Sequence, residues 1–69
     1  MEDLRQATDT ELEALHYLNR LRLSGTTNMF GAVPYVEAEL GVTRQEAARL
    51  LALWMENFNE DGNYEMLRS

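Results

Sequence analysis

The sequence contains no cysteine and no lysine, and it has only one histidine among its 69 residues. Without cysteine there is no disulfide framework and no thiolate ligand for zinc. His16 has no carboxylate partners at metal-ligand spacing, and the span from Gly25 to Gly31 matches neither a phosphate-binding loop nor a dinucleotide fingerprint. We therefore expect neither a metal site nor a cofactor.

The chain also lacks a long apolar run. No segment approaches the roughly 20 residues that are needed to span a bilayer. The acidic N-terminus lacks the apolar core of a secretory signal. These absences predict a cytoplasmic protein with no membrane partner. A length of 69 residues allows one domain, and a domain of this size buries only about 60% of its unfolded surface.

Residue patterns for acid–base or nucleophilic catalysis are missing as well. The serines Ser24 and Ser69 have no neighbouring base. A catalytic carboxylate pair needs a pocket that separates its two pKa values, and a small three-helix chain hardly encloses one. Four acids are instead predicted to lie on solvated helix faces: Glu11, Glu13, Glu37 and Glu39. We therefore expect no enzymatic activity.

An apolar face with helical spacing predicts a first helix over residues 9–24 that ends at a Gly25 cap. The face is formed by Leu12, Leu15, Leu18 and Leu21. Two capping boxes compete for the start of this helix: Thr10 with Glu13, and Thr8 with Glu11.

A second apolar stripe predicts a helix over residues 28–40 with Asn28 as its N-cap. The stripe consists of Met29, Val33, Val36 and Leu40. Pro34 interrupts it, because proline lacks an N–H and clashes with the carbonyl four residues earlier. Since the stripe keeps its phase through Pro34, we expect one bent helix. The alternative is a separate turn at Met29 and Phe30, followed by a shorter helix that begins at Pro34.

A third helix is predicted over residues 43–58, where Thr43 and Glu46 form a capping box. Its buried stripe is Ala47, Leu50, Leu51, Trp54 and Phe58. Gly41 stands where the chain leaves the second helix, and we expect it to adopt positive φ, which costs any residue with a Cβ.

These helices predict an all-α fold, a compact three-helix domain with a helix-turn-helix-like corner at Gly41 and a short C-terminal tail. The expected division is a flexible N-terminus over residues 1–8, the three-helix domain over residues 9–59 and the tail over residues 60–69. The shared core is predicted to contain Leu15, Leu18, Val36, Leu40, Leu50, Leu51 and Trp54.

The outward positions of the third helix predict one candidate binding face. In a helix-turn-helix aligned on Gly41, DNA would contact Thr43, Arg44, Gln45 and Arg49. Arginine and glutamine read guanine and adenine edges, and threonine binds phosphate. However, the net charge of -6 repels the phosphate backbone. Glu37 also stands where this motif usually has a small residue. A DNA-binding transcriptional regulator is therefore the second candidate.

Three large side chains lie outside the apolar stripes of the predicted helices and predict a different binding face: Phe30, Tyr35 and Met55. Tyrosine and methionine are enriched at protein interfaces. An apolar patch on so small a domain suggests a protein partner or self-association. Glu37 and Glu39 would approach phosphates with no lysine nearby, which also favours protein over DNA. A non-enzymatic module that binds protein is therefore the first candidate.

Several short segments carry a resemblance to a known group. They are Ser24-Gly25, Thr27-Asn28-Met29-Phe30-Gly31-Ala32, Tyr35-Val36, Gly41, Glu46-Ala47 and Trp54-Met55. On these residues, and over most of residues 12–58, the chain resembles a family of small uncharacterised helical proteins of tailed bacteriophages and their bacterial hosts. That family has no assigned activity, so no functional residue is carried over. The resemblance implies an accessory protein that binds a host or viral component inside the host bacterial cell.

Overall fold

The computed structural model describes residues 3–68, which form three helices and two short strands. In chain order these are β1 (Leu4–Gln6), α1 (Asp9–Ser24), a 3₁₀ turn (Met29–Gly31), α2 (Val33–Leu40), α3 (Arg44–Asn57) and β2 (Met66–Arg68). Three helices are present, as predicted, and the first and third match the expected bounds to within one residue. The all-α prediction is incomplete, because β1 and β2 add a small two-stranded sheet.

Helix α1 begins at the Thr8–Glu11 capping box rather than at Thr10. The Thr8 hydroxyl accepts from the Glu11 N–H at 3.1 Å, and the Glu11 carboxylate accepts from the Thr8 N–H at 2.9 Å. This exchange satisfies two backbone donors at the helix start. At the other end, Gly25 takes a left-handed φ of 67° and ends the helix as predicted.

The segment predicted as one bent helix over residues 28–40 consists of two elements, so that prediction is wrong. In the 3₁₀ turn, the Asn28 side chain accepts from the Gly31 N–H at 2.9 Å. Helix α2 then begins afresh with Pro34 in its first turn, where the missing N–H would have no helical partner. A continuous helix would have pressed the Pro34 ring against the Phe30 carbonyl, which explains the break.

Gly41 connects α2 to α3 with a φ of 66°, which confirms the predicted left-handed conformation. Its N–H donates to the Glu37 carbonyl at 2.9 Å. Two residues later, the Thr43 hydroxyl accepts from the Glu46 N–H at 3.1 Å and caps α3. Because the connection is short, α2 packs directly against α3.

The two ends of the described chain pair with each other. β1 and β2 run antiparallel with Arg5 opposite Leu67. Beyond the strands, the Ala7 N–H donates to the Glu65 carbonyl at 2.7 Å. Leu67 and Tyr64 are both fully buried in the core. The C-terminal segment therefore folds back onto the helices.

The pairing joins the segment expected to be a flexible N-terminus (residues 1–8) to the one expected to be a tail (residues 60–69), on either side of the expected helical domain (residues 9–59). From the described parts of these two segments, Ala7, Tyr64 and Leu67 belong to the core, and residues 1, 2 and 69 lie outside the described chain. The C-terminal segment packs there because the three helices leave one side of their apolar contact open, and Tyr64 and Leu67 cover that side.

The core lies where the three helices meet the buried side of β2. Of the predicted core residues, all are buried except Leu40, which is half-buried beside them. Phe58 is exposed instead of buried, because α3 ends at Asn57 and the chain continues with extended backbone. The fully buried side chains of larger volume are Tyr64, Leu15, Leu18, Leu50, Leu67 and Val36.

Replacing Gly41 by valine is expected to lower the free energy of unfolding by about 1–2 kcal/mol. A Cβ at Gly41 would meet no atom within 4 Å, so the cost comes from the left-handed backbone alone. Gly41→Asn is the matched control, because asparagine tolerates this conformation and should lose less. Urea unfolding measures both variants, and equal losses would contradict the assignment to backbone strain.

Replacing Leu67 by alanine is expected to lower the free energy of unfolding by about 2–5 kcal/mol, because it leaves a cavity in the core. Such a loss is a large share of the 5–15 kcal/mol typical of a domain. Met66→Ala is the control, since Met66 is the next residue of β2 but is exposed. If urea denaturation gave the two variants the same stability, the C-terminal strand would not be part of the core in solution.

Candidate functional site

A buried carboxylate links three elements of the fold. Glu11, in the first turn of α1, is only 3% exposed. Arg5 from β1 donates to its two oxygens at 2.7 and 2.8 Å, and Arg49 from α3 donates to one of them at 3.2 Å. Glu46 in turn accepts from Arg49 at 2.7 and 2.8 Å. We call Arg5, Glu11, Glu46 and Arg49 the Glu11 cluster.

The Glu11 cluster shifts the pKa values of its members. Hydrogen bonds from Arg5 lower the pKa of Glu11 to about 2, although burial opposes this effect. The Thr8 N–H and Arg49 lower it further by donating to the same carboxylate. The hydrogen bonds to Glu46 raise the pKa of Arg49. Glu11 therefore remains ionised at neutral pH, and the charge of Arg49 is balanced within the protein.

The residues predicted to contact DNA lie at the N-terminal end of α3, but they are not equally free. Arg44 and Gln45 are exposed. The Thr43 hydroxyl oxygen caps α3 by accepting a hydrogen bond. The Arg49 guanidinium is engaged by both carboxylates of the Glu11 cluster. To reach a base edge, Arg49 would have to leave a buried carboxylate, which costs free energy.

Each of the residues predicted to contact a protein is exposed to solvent. Phe30 is 86% exposed on the 3₁₀ turn, Tyr35 is 38% exposed on α2 and Met55 is 41% exposed on α3. Tyr35 lines a shallow depression together with Pro34 and Ala38. Met55 is on a different helix and is not among the residues that line it. We call Phe30, Pro34, Tyr35 and Ala38 the 30–38 apolar segment.

Phe30 is presented on a tightly hydrogen-bonded turn. The Asn28 side chain and the Asn28 carbonyl both accept from the Gly31 N–H, at 2.9 and 3.0 Å. The next N–H, that of Ala32, donates to the Met29 carbonyl at 3.3 Å. The turn thus fixes the backbone on both sides of Phe30 while leaving its ring in solvent.

Asn19 organises a second polar cluster, on the side of the core formed by the C-terminal segment. Its Oδ1 accepts from the Trp54 indole N–H at 2.8 Å and from the Tyr64 hydroxyl at 2.6 Å. Its Nδ2 donates to the Asn59 carbonyl at 3.3 Å. The sequence carries no signal for this cluster, because Asn19 is 35 to 45 residues away from its partners in the chain. Its role is structural: it satisfies the polar ends of two buried aromatic rings.

His16 lies on the surface, with its ring edge-on to Tyr64 at 5.9 Å between centroids. Within residues 3–68, no group of three or more histidine, cysteine, aspartate or glutamate side chains is arranged to hold a metal ion. In the same described part of the chain, no helix combines the length and the apolar character that crossing a membrane requires.

Comparison of the chain with protein-family models, with curated proteins and with solved structures finds no match. The candidate sites therefore rest on the contacts of this chain alone. Two of them offer binding chemistry: the 30–38 apolar segment and the exposed first turn of α3.

Replacing Glu11 by glutamine is expected to destabilise the fold at neutral pH by on the order of 1–3 kcal/mol. The folded-state pKa of about 2 lies below the ordinary value of 4.5. The stabilisation is therefore fully present above the ordinary pKa and is lost as the pH falls toward the folded value. Unfolding free energies measured from pH 7 to pH 2.5 should show the difference between wild type and Glu11→Gln shrinking. Glu13→Gln, an exposed position of the same helix, is the control; a difference independent of pH would contradict the ionic role of Glu11.

Proposed function

We propose that this chain is a non-enzymatic binding module that acts through protein–protein interaction. The observation that carries the proposal is the exposure of Phe30, which is 86% accessible on a tightly capped turn. Burying a phenylalanine in a partner contributes about 1.5–3 kcal/mol. Since the turn is already ordered, little conformational entropy is lost when Phe30 binds.

The rest of the 30–38 apolar segment extends this contact. Pro34, Tyr35 and Ala38 are exposed on α2 and form a shallow apolar depression. Aromatic side chains surrounded by smaller apolar contacts are typical of interface hot spots. Phe30 and Tyr35 would then supply most of the binding energy, and Met55 on α3 would lie outside the contact.

The charges near the 30–38 apolar segment indicate which kind of protein surface would bind it. Residues 26–43 contain Glu37 and Glu39 and no basic residue. Acidic residues on the same helix as the apolar depression favour a partner with an apolar cleft bordered by arginine or lysine. The net charge of -6 also steers the whole chain toward a basic partner.

The resemblance to small proteins of tailed bacteriophages supports a setting for this binding. In that setting the chain is an accessory protein that binds a host or viral protein inside the bacterial cell. A small module with an exposed aromatic side chain on a hydrogen-bonded turn suits such a role, because binding alone is enough to alter the activity of a partner.

DNA binding through a helix-turn-helix-like corner is the second candidate. The exposure of Arg44 and Gln45 at the start of α3 favours it, since these side chains read base edges. Two observations weigh against it. Arg49 is engaged by the Glu11 cluster, and the acidic chain repels phosphate.

A capture experiment with matched variants distinguishes the two candidates. A protein retained from bacterial lysate by the immobilised chain is purified, and its Kd is measured by calorimetry. The double variant Phe30→Ala/Tyr35→Ala is expected to weaken binding by roughly tenfold or more, because it removes the apolar contact. The control Arg44→Ala/Gln45→Ala should change the Kd by less than about twofold, as exposed polar positions outside the contact do.

Duplex DNA is titrated in parallel at several salt concentrations. Sub-micromolar DNA binding at physiological salt, falling steeply as salt is added and lost in Arg44→Ala/Gln45→Ala, would overturn the protein-binding proposal. The protein-binding proposal would also be contradicted if the two double variants changed the Kd for the captured protein equally. Circular dichroism checks that both variants remain folded, as expected for exposed positions.

A further inference from the structure

A small cavity opens between the last turn of α1 and the chain that follows α3. It is about 230 Å³ in volume and is lined by Asn19, Arg22, Leu23, Phe58 and Glu60. Sites for drug-sized ligands have volumes of about 300–1,000 Å³, so this cavity fits only a smaller molecule. It is separate from the 30–38 apolar segment, with which it shares no lining residue.

The aromatic wall of the cavity is held in place by the core. The Phe58 ring packs edge-on against Trp54, with 5.0 Å between centroids. The Arg22 guanidinium lies over the Phe58 ring at 4.8 Å from its centroid. Asn19, at the base, is fixed by its hydrogen bonds to Trp54 and Tyr64. Phe58, Arg22 and Asn19 are therefore positioned before any ligand binds.

Two opposite charges line the same cavity without forming an ion pair with each other. Within residues 3–68, Arg22 has no carboxylate oxygen within 4.0 Å, although Glu60 also lines the cavity. Arg22 thus keeps its guanidinium N–H donors for a ligand, and Glu60 keeps its carboxylate oxygens as acceptors. A guanidinium binds carboxylates in a two-pronged geometry, and a carboxylate binds ammonium groups.

We propose that this cavity binds a free α-amino acid with an apolar side chain. Arg22 would bind the carboxylate of the amino acid and Glu60 its ammonium group. Leu23 is 80% exposed and, with Phe58, would cover the apolar side chain of the ligand. A simple anion is repelled by Glu60 and a simple cation by Arg22, so the pair of charges favours a zwitterion.

The test is a titration of the ¹⁵N-labelled protein with L-leucine, followed by amide chemical shifts. Saturable shifts are expected at residues that line the cavity, with a Kd of about 1 mM because exposed ion pairs are weak. N-acetyl-L-leucine lacks the ammonium charge and L-leucinamide lacks the carboxylate, so each should bind at least about fivefold more weakly. Arg22→Gln and Glu60→Gln should each weaken L-leucine to a similar extent.

Arg20→Gln is the matched control, because Arg20 lies on the same helix but over the Tyr17 ring and does not line the cavity. It should leave L-leucine binding unchanged. The proposal is overturned if L-leucine gives no saturable shift up to about 50 mM, well above the expected Kd. It is also overturned if the two single-charge analogues bind as well as L-leucine, or if Arg20→Gln weakens binding as much as Arg22→Gln. If Arg22→Gln failed to fold, Glu60→Gln would still test the proposal, because Glu60 lies in a surface loop.

Discussion

The structure depends on keeping one carboxylate charged inside the protein. Glu11 is buried at the start of α1, and burying a charge without partners would cost several kcal/mol. Arg5 and Arg49 remove that cost, and they come from β1 and α3. The same contact therefore caps α1, attaches the N-terminal strand to the helices and sets α3 against α1. It also engages the guanidinium of Arg49 in ion pairs, whereas Arg44 and Gln45 are exposed nearby.

Asn19 also pairs buried polar groups, about two turns further along α1. It binds the polar ends of Trp54 and Tyr64, so the C-terminal segment can bury a tyrosine without leaving its hydroxyl unpaired. Both polar clusters thus connect α1, α3 and the chain ends. Helix α2 takes part in neither cluster: it packs through Val36 and leaves an apolar segment in solvent. This asymmetry is the physical basis for the proposal that a partner binds the 30–38 apolar segment.

Local patterns in the sequence predicted the local structure well. Helical spacing predicted the bounds of α1 and α3 but not the break between the 3₁₀ turn and α2. Gly41 takes the predicted positive φ. The strands were not predictable, because three residues carry too little alternation and Arg5 meets Leu67 only through long-range pairing. The exposure of Phe30 followed from its position off the apolar stripe. The engagement of Arg49 did not, because its buried partner is 38 residues away in the chain.

We propose that partner binding takes place on the 30–38 apolar segment. Hydrogen exchange of the complex with the captured protein, compared with the free chain, tests it most directly. Slowed exchange is expected mainly in the amides of residues 28–39. Exchange in the first turn of α3 should be unchanged. Slowed exchange concentrated in residues 43–49 instead, with residues 28–39 unaffected, would contradict it.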